Sequence, residues 1–125
     1  MRKMQFKEGR KFYKVYLFNE IMKKDEVSTD DLVIRICEVR ANGYSRFQYT
    51  EYDNGEPKVT LWCDRDKFGN VIATRYGKSM MMEELDLRLA MKKFAEHSRK
   101  QLAWYEEKAA RERKWMDILG KISKG

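Results

Sequence analysis

Apolar and polar positions follow a strand-like period of two over roughly the first 78 residues of the chain, and a helical period after them. Residues 11–18, Lys-Phe-Tyr-Lys-Val-Tyr-Leu-Phe, are rich in aromatic and β-branched side chains and predict a first strand. Residues 20–24 predict one helical turn. Residues 31–40 hold Leu32, Val33, Ile34, Ile36, Cys37 and Val39, a near-continuous apolar run that predicts a central strand covered on both faces. Asn42-Gly43 follows as a turn. Residues 45–53 and 57–64 predict a hairpin across Asp53–Glu56, and 57–64 is expected to pair onward with 71–76 across Lys67–Asn70. Alternation puts Phe47 and Tyr49 on one face of the third strand, with Gln48, Thr50 and Tyr52 on the other. In the fourth, Val59, Leu61 and Cys63 oppose Lys58, Thr60 and Trp62, so Trp62 is expected on the wetter side of the sheet.

From Ser79 the period becomes helical. Ser79 suits an N-cap, and Glu83, Glu84 and Asp86 add negative charge near the positive helix end. No glycine or proline interrupts residues 79–119, and Gly120 offers a stop. The expected fold is therefore α+β: an antiparallel β-meander of about five strands followed by a long C-terminal α-helix. A bend, or a fold-back into a helical hairpin, would fall near His97–Arg99. By length residues 1–125 make one domain, mainly β sheet over 1–78 and one long helix over 79–120.

The helix has two unlike halves. Between Met80 and Ala95 a second apolar set of Met82, Leu85 and Leu89 lies opposite the first, so burial on two sides is expected. Beyond Arg99 one main stripe remains, with Leu102, Tyr105, Met116 and Leu119 on it and Trp104 and Trp115 beside it. A helix of this length spans roughly 60 Å, against roughly 20–25 Å for the strands. The distal stripe thus needs a cover: a second copy in an antiparallel or parallel helix pair, another protein's groove, or the chain's own fold-back. The expected protein interface is Leu102, Trp104, Tyr105, Trp115, Met116 and Leu119.

Charge sharpens this picture. The chain carries 27 Lys and Arg against 20 Asp and Glu, a formal +7. Residues 1–14 hold Arg2, Lys3, Lys7, Arg10, Lys11 and Lys14 against Glu8, and residues 88–114 hold nine cations against four glutamates. Such regions attract phosphate backbones or acidic protein surfaces. The candidate polyanion contacts are Arg88, Lys92, Lys93, Arg99, Lys100 and Lys58, with Trp62 as a base-stacking platform. No stretch approaches the ~20 apolar residues of a membrane span, and the N-terminus lacks a signal peptide's apolar core, so a cytoplasmic protein with no membrane contact is expected.

Catalytic chemistry finds little footing. One histidine, His97, and two separated cysteines, Cys37 and Cys63, are too few for a zinc site, and both cysteines are expected as buried free thiols. Asp64-x-Asp66 reads as turn acids, Glu56-x-Lys58 lies on a turn with Pro57, and no phosphate loop or nucleophile turn is present. The expectation is a small basic non-enzymatic binding module, without cofactor, acting on nucleic acid or a nucleoprotein. Its long helix would serve self-association, as a homodimer, or partner docking. Alternatives are an inhibitor or adaptor of the kind made by phages and mobile elements, blocking a nucleic-acid-processing enzyme, and a structural oligomer subunit.

Overall fold

The structure, a computed structural model, describes residues 4–124, with side chains through residue 122. Arg2 and Lys3 lie outside these. Six antiparallel strands form one curled sheet: β1 (Lys11–Phe18), β2 (Val33–Asn42), β3 (Arg46–Asp53), β4 (Glu56–Asp64), β5 (Ile72–Thr74) and β6 (Gly77–Met82). One long helix follows, α1 (Leu87–Lys124). The chain divides into two compact units, residues 1–94 and 95–125.

In the first unit the strand order is β4-β3-β2-β1-β6-β5. β1 to β4 form the meander that alternation predicts. Asn54 and Gly55 both adopt positive φ, the pattern of a type I′ turn, and join β3 to β4. The expected onward pairing of 57–64 with 71–76 does not occur. β5 is only three residues long and pairs with β6, which joins the far side of β1. The linking segment carries Phe68 into the inner face instead of closing a tight hairpin. Its ring meets Phe6 and Phe12 edge-on, each at 5.4 Å, and the Gly69 N–H donates to the Met81 carbonyl at 3.1 Å. A short 3-10 turn over Asn19–Lys23 matches the predicted single turn.

Residues 79–82 were expected in the helix and form β6. The run Met80-Met81-Met82 fits a strand buried on both faces as well as a helix, because periodicity cannot separate the two in a short apolar run. Here Met81 packs into the inner cluster with Phe12, Cys37, Val39, Phe47 and Tyr49, while Met80 and Met82 join Val15, Leu32, Ala90 and Phe94 on the outer face. Gly77 starts this strand because a Cβ there would lie 2.1 Å from the Leu17 carbonyl oxygen.

The helix cap is therefore Asp86, not Ser79: its Oδ1 accepts from the Leu89 N–H at 3.0 Å and its carbonyl from Ala90 at 3.0 Å. Only one side of the first turns is covered, where Leu87, Ala90, Met91 and Phe94 join the cluster of Val15, Leu32, Met80 and Met82. Leu85 and Leu89, expected on a second buried side, are exposed, and Met82 belongs to β6. The outer face of β2 is likewise open at Ile34 and Ile36, so that strand is not covered on both faces. α1 continues through His97–Arg99 without a break, which removes the fold-back reading, and through Gly120 to Lys124. No helix of the described residues is long and apolar enough to cross a membrane.

Candidate functional site

Alternation along β4 sends Thr60 and Trp62 to the outer face, as the sequence predicts, while Lys58 is the unpaired residue where the register with β3 shifts, and β4 is an edge strand. Trp62 is 46% exposed. The Arg46 guanidinium carbon sits 5.7 Å from the Trp62 ring centroid, and Arg46 Nε is 3.6 Å from Asp64 Oδ1. Asp64 also faces Lys67 at 3.9 Å. An aromatic surface with a guanidinium beside it thus forms at one edge, with Lys58 exposed further along the same strand.

The cations of α1 are in a different state from those of the sheet. Arg88, Lys92 and Lys93 in the first unit, and Arg99 and Lys100 in the second, are all exposed. None of them is in an ion pair among the described residues, although Glu84/Arg88 and Glu96/Lys100 have the spacing for one. Outside α1 part of the positive charge is consumed: Arg10 pairs with Glu83, Lys24 with Asp31, Arg40 with Glu38, Arg35 with Glu51, and Arg46 and Lys67 with Asp64. The basic N-terminal region is correspondingly less available than its sequence implies, since Arg10 is paired and Lys14 is nearly buried.

In the second unit the expected interface residues Leu102, Trp104, Tyr105, Trp115, Met116 and Leu119 are all exposed, as are Ile118 and Ile122, over a range of 40–71%. Trp104 meets Tyr105 edge-on at 5.0 Å, and Lys108 Nζ lies 5.1 Å from the Trp104 ring centroid.

Sequence reading missed an ionic cluster on the inner face of the sheet. Glu51 is 3% exposed. It accepts the Tyr16 hydroxyl at 2.5 Å and faces Lys14 Nζ at 3.4 Å and Arg35 Nη1 at 3.5 Å. Lys14 Nζ also donates to the Tyr49 hydroxyl at 3.0 Å. Burial opposes the Lys14 ammonium, but contacts with Tyr49 and Tyr16 outweigh it and hold its pKa above the usual lysine value. Burial, then the bond to Glu51, raises the Tyr16 pKa. Burial, then the Glu51 charge, pushes the Cys37 thiol up to about 12, so at neutral pH it is a protonated, weakly reactive group. The signal was present in the pattern: Lys14 and Glu51 hold inward positions in line with Phe12 and Phe47. Charges there mean either a mispredicted face or a paired cluster.

Cys37 and Cys63 are both free, Cys37 buried and Cys63 half-buried, on strands separated by β3. Among the described residues no three His, Cys, Asp or Glu side chains come together as metal ligands. A groove of about 580 Å³ on the outer face, lined by Tyr13, Ile34, Ile36 and Tyr52, has Lys11 opposed by Glu38 and Asp53, and so has no excess of positive charge. Compared with family models, curated proteins and solved structures, the chain matches none.

Proposed function

We propose that this protein is a small non-enzymatic binding module that contacts nucleic acid through the exposed cations of α1, with the distal helix as its association element. The observation that carries the reading is the contrast in charge pairing: Arg88, Lys92, Lys93, Arg99 and Lys100 are exposed and outside every ion pair among the described residues, while seven cations outside α1, Arg10, Lys14, Lys24, Arg35, Arg40, Arg46 and Lys67, are paired. Unpaired surface ammonium and guanidinium groups gain most from releasing counterions off a phosphate backbone. Trp62, exposed with Arg46 beside it, supplies a stacking surface for unpaired bases at the sheet edge. Two free thiols fit a reducing compartment, and a cytoplasmic location belongs to the same reading.

Binding to a labelled single-stranded oligonucleotide across a salt series tests it. Affinity should fall linearly on logarithmic axes, and Lys92→Ala/Lys93→Ala/Arg99→Ala/Lys100→Ala should flatten the slope by about 3, at roughly 0.7 for each lost phosphate contact. No retention on the oligonucleotide at ~100 mM salt ends the proposal, since non-specific binding of this kind survives such salt.

A second reading rests on the exposed aromatic pair Trp104–Tyr105 and on Trp115, residue types that dominate protein hot spots. An inhibitor or adaptor would lose its protein partner on truncation of these residues and show no salt-dependent oligonucleotide binding.

A further inference from the structure

We infer that the distal helix pairs with a second copy of itself in antiparallel orientation, through the stripe that contains Leu102, Tyr105, Ala109, Met116 and Leu119. This deepens the reading of that helix as the association element. The spacing of the stripe alternates between three and four residues from Leu102 to Leu119, with Glu112 completing it, which is the seam of a two-stranded coiled coil. Its apolar members are exposed or, for Ala109, half-buried within their own chain, so the seam is unfilled.

Charge and size select the orientation. In a parallel pair each seam residue meets its own copy, so Glu112 would face Glu112 across the core. On the flanks Lys108 would approach Arg113 of the second copy, a like-charge contact repeated on both sides. In the antiparallel pair with its centre between Ala109 and Glu112, Leu102 meets Leu119 of the second copy and Tyr105 meets Met116. Each Glu112 lies opposite the small Ala109, which leaves room for its carboxylate to turn outward. The flanks then place Glu106 beside Arg113 of the second copy, twice by symmetry, and Lys108 beside the Trp115 ring, also twice. The like-charge flank contacts of the parallel pair are replaced by attractive ones, and the Glu112 pair is separated.

The alternative stripe, Trp104, Lys108, Arg111, Trp115, Ile118 and Ile122, fails the same comparison. An antiparallel pair there sets Lys108 against Ile118 and Arg111 against Trp115, burying two cations of each chain in the core, and a parallel one sets each cation against itself. Trp104 meanwhile has contacts inside its own helix, from Tyr105 and Lys108.

The test uses the full chain with Cys63→Ser, which leaves Cys37 buried in the sheet. Light-scattering chromatography should give a dimer. Arg113→Glu should weaken it about tenfold, because two attractive flank contacts become repulsive, and Glu106→Arg with Arg113→Glu should restore it. The parallel pair demands the reverse sign, since the introduced carboxylate would then meet Lys108: tightening by Arg113→Glu overturns the inference. A mixture of Leu102→Cys and Leu119→Cys chains should oxidise to mixed disulfides, whereas self-linking of Leu102→Cys alone overturns it. So does a monomer at ~100 μM, a concentration at which even micromolar pairing is complete. A monomer that still binds the oligonucleotide removes the antiparallel pair and leaves the nucleic-acid reading standing; a dimer that binds none does the opposite.

Discussion

Glu51 is the residue on which the inner face of the sheet depends. Its carboxylate is almost fully buried, and it balances Lys14 and Arg35 while accepting the Tyr16 hydroxyl. Removing one partner of such a group leaves the others desolvated without compensation. Glu51→Ala should cost about 3–5 kcal/mol in urea unfolding, and Glu51→Gln, which keeps an acceptor for Tyr16, should cost less. A wild-type midpoint for Glu51→Ala would show that the cations escape to water. The sequence holds a trace of this cluster, because Lys14 and Glu51 occupy inward positions of their strands. It does not show that they meet, since Lys14 and Glu51 are brought together only by the pairing of β1 with β2 and of β2 with β3.

The elements show how local signals succeed or mislead. Asn54-Gly55 set its turn because both residues tolerate positive φ, a purely local property. Ser79 has the chemistry of a cap and is buried in β6 instead, opposite Tyr16 and Ile72. Asp86 takes the role once the apolar run Met80–Met82 is drawn into the two core clusters. Gly120 sits inside α1 with φ outside the left-handed region and with open space around the position of a Cβ. Gly120→Ala should therefore raise helicity and stabilise the helix by about 0.8–1 kcal/mol, read by circular dichroism with thermal unfolding. A glycine ending the helix in a left-handed turn would give the opposite sign.

At the scale of the whole molecule, the sheet unit and the distal helical unit differ in how their apolar residues are used. The sheet unit encloses two clusters, one on each face, and the distal unit leaves its large apolar side chains exposed. Assembly and sheet stability should then be separable. Leu102→Asp with Tyr105→Asp should abolish self-association, while Cys37 remains protected from a thiol reagent up to the wild-type urea concentration. Early exposure of Cys37 in that variant would mean that the sheet needs the assembled helix.

What the sequence alone determined is what short-range chemistry dictates. It set five of the six strands, the inward and outward residues of β3 and much of β4, the tight turn at Asn54-Gly55, and the amphipathic, exposed distal helix with Leu102, Tyr105, Met116 and Leu119 on one stripe. Each follows from side-chain period or φ preference within a few residues. Tertiary structure alone decided that β6 exists, that it lies against β1 although four other strands separate them in the chain, that β5 joins β6 and not β4, and that Glu51 is buried with Lys14 and Arg35. These depend on which apolar surface finds cover elsewhere in the chain, and a local period cannot encode that. The helix start moved from Ser79 to Leu87 for the same reason: burial of three methionines between two core clusters outweighed a favourable cap.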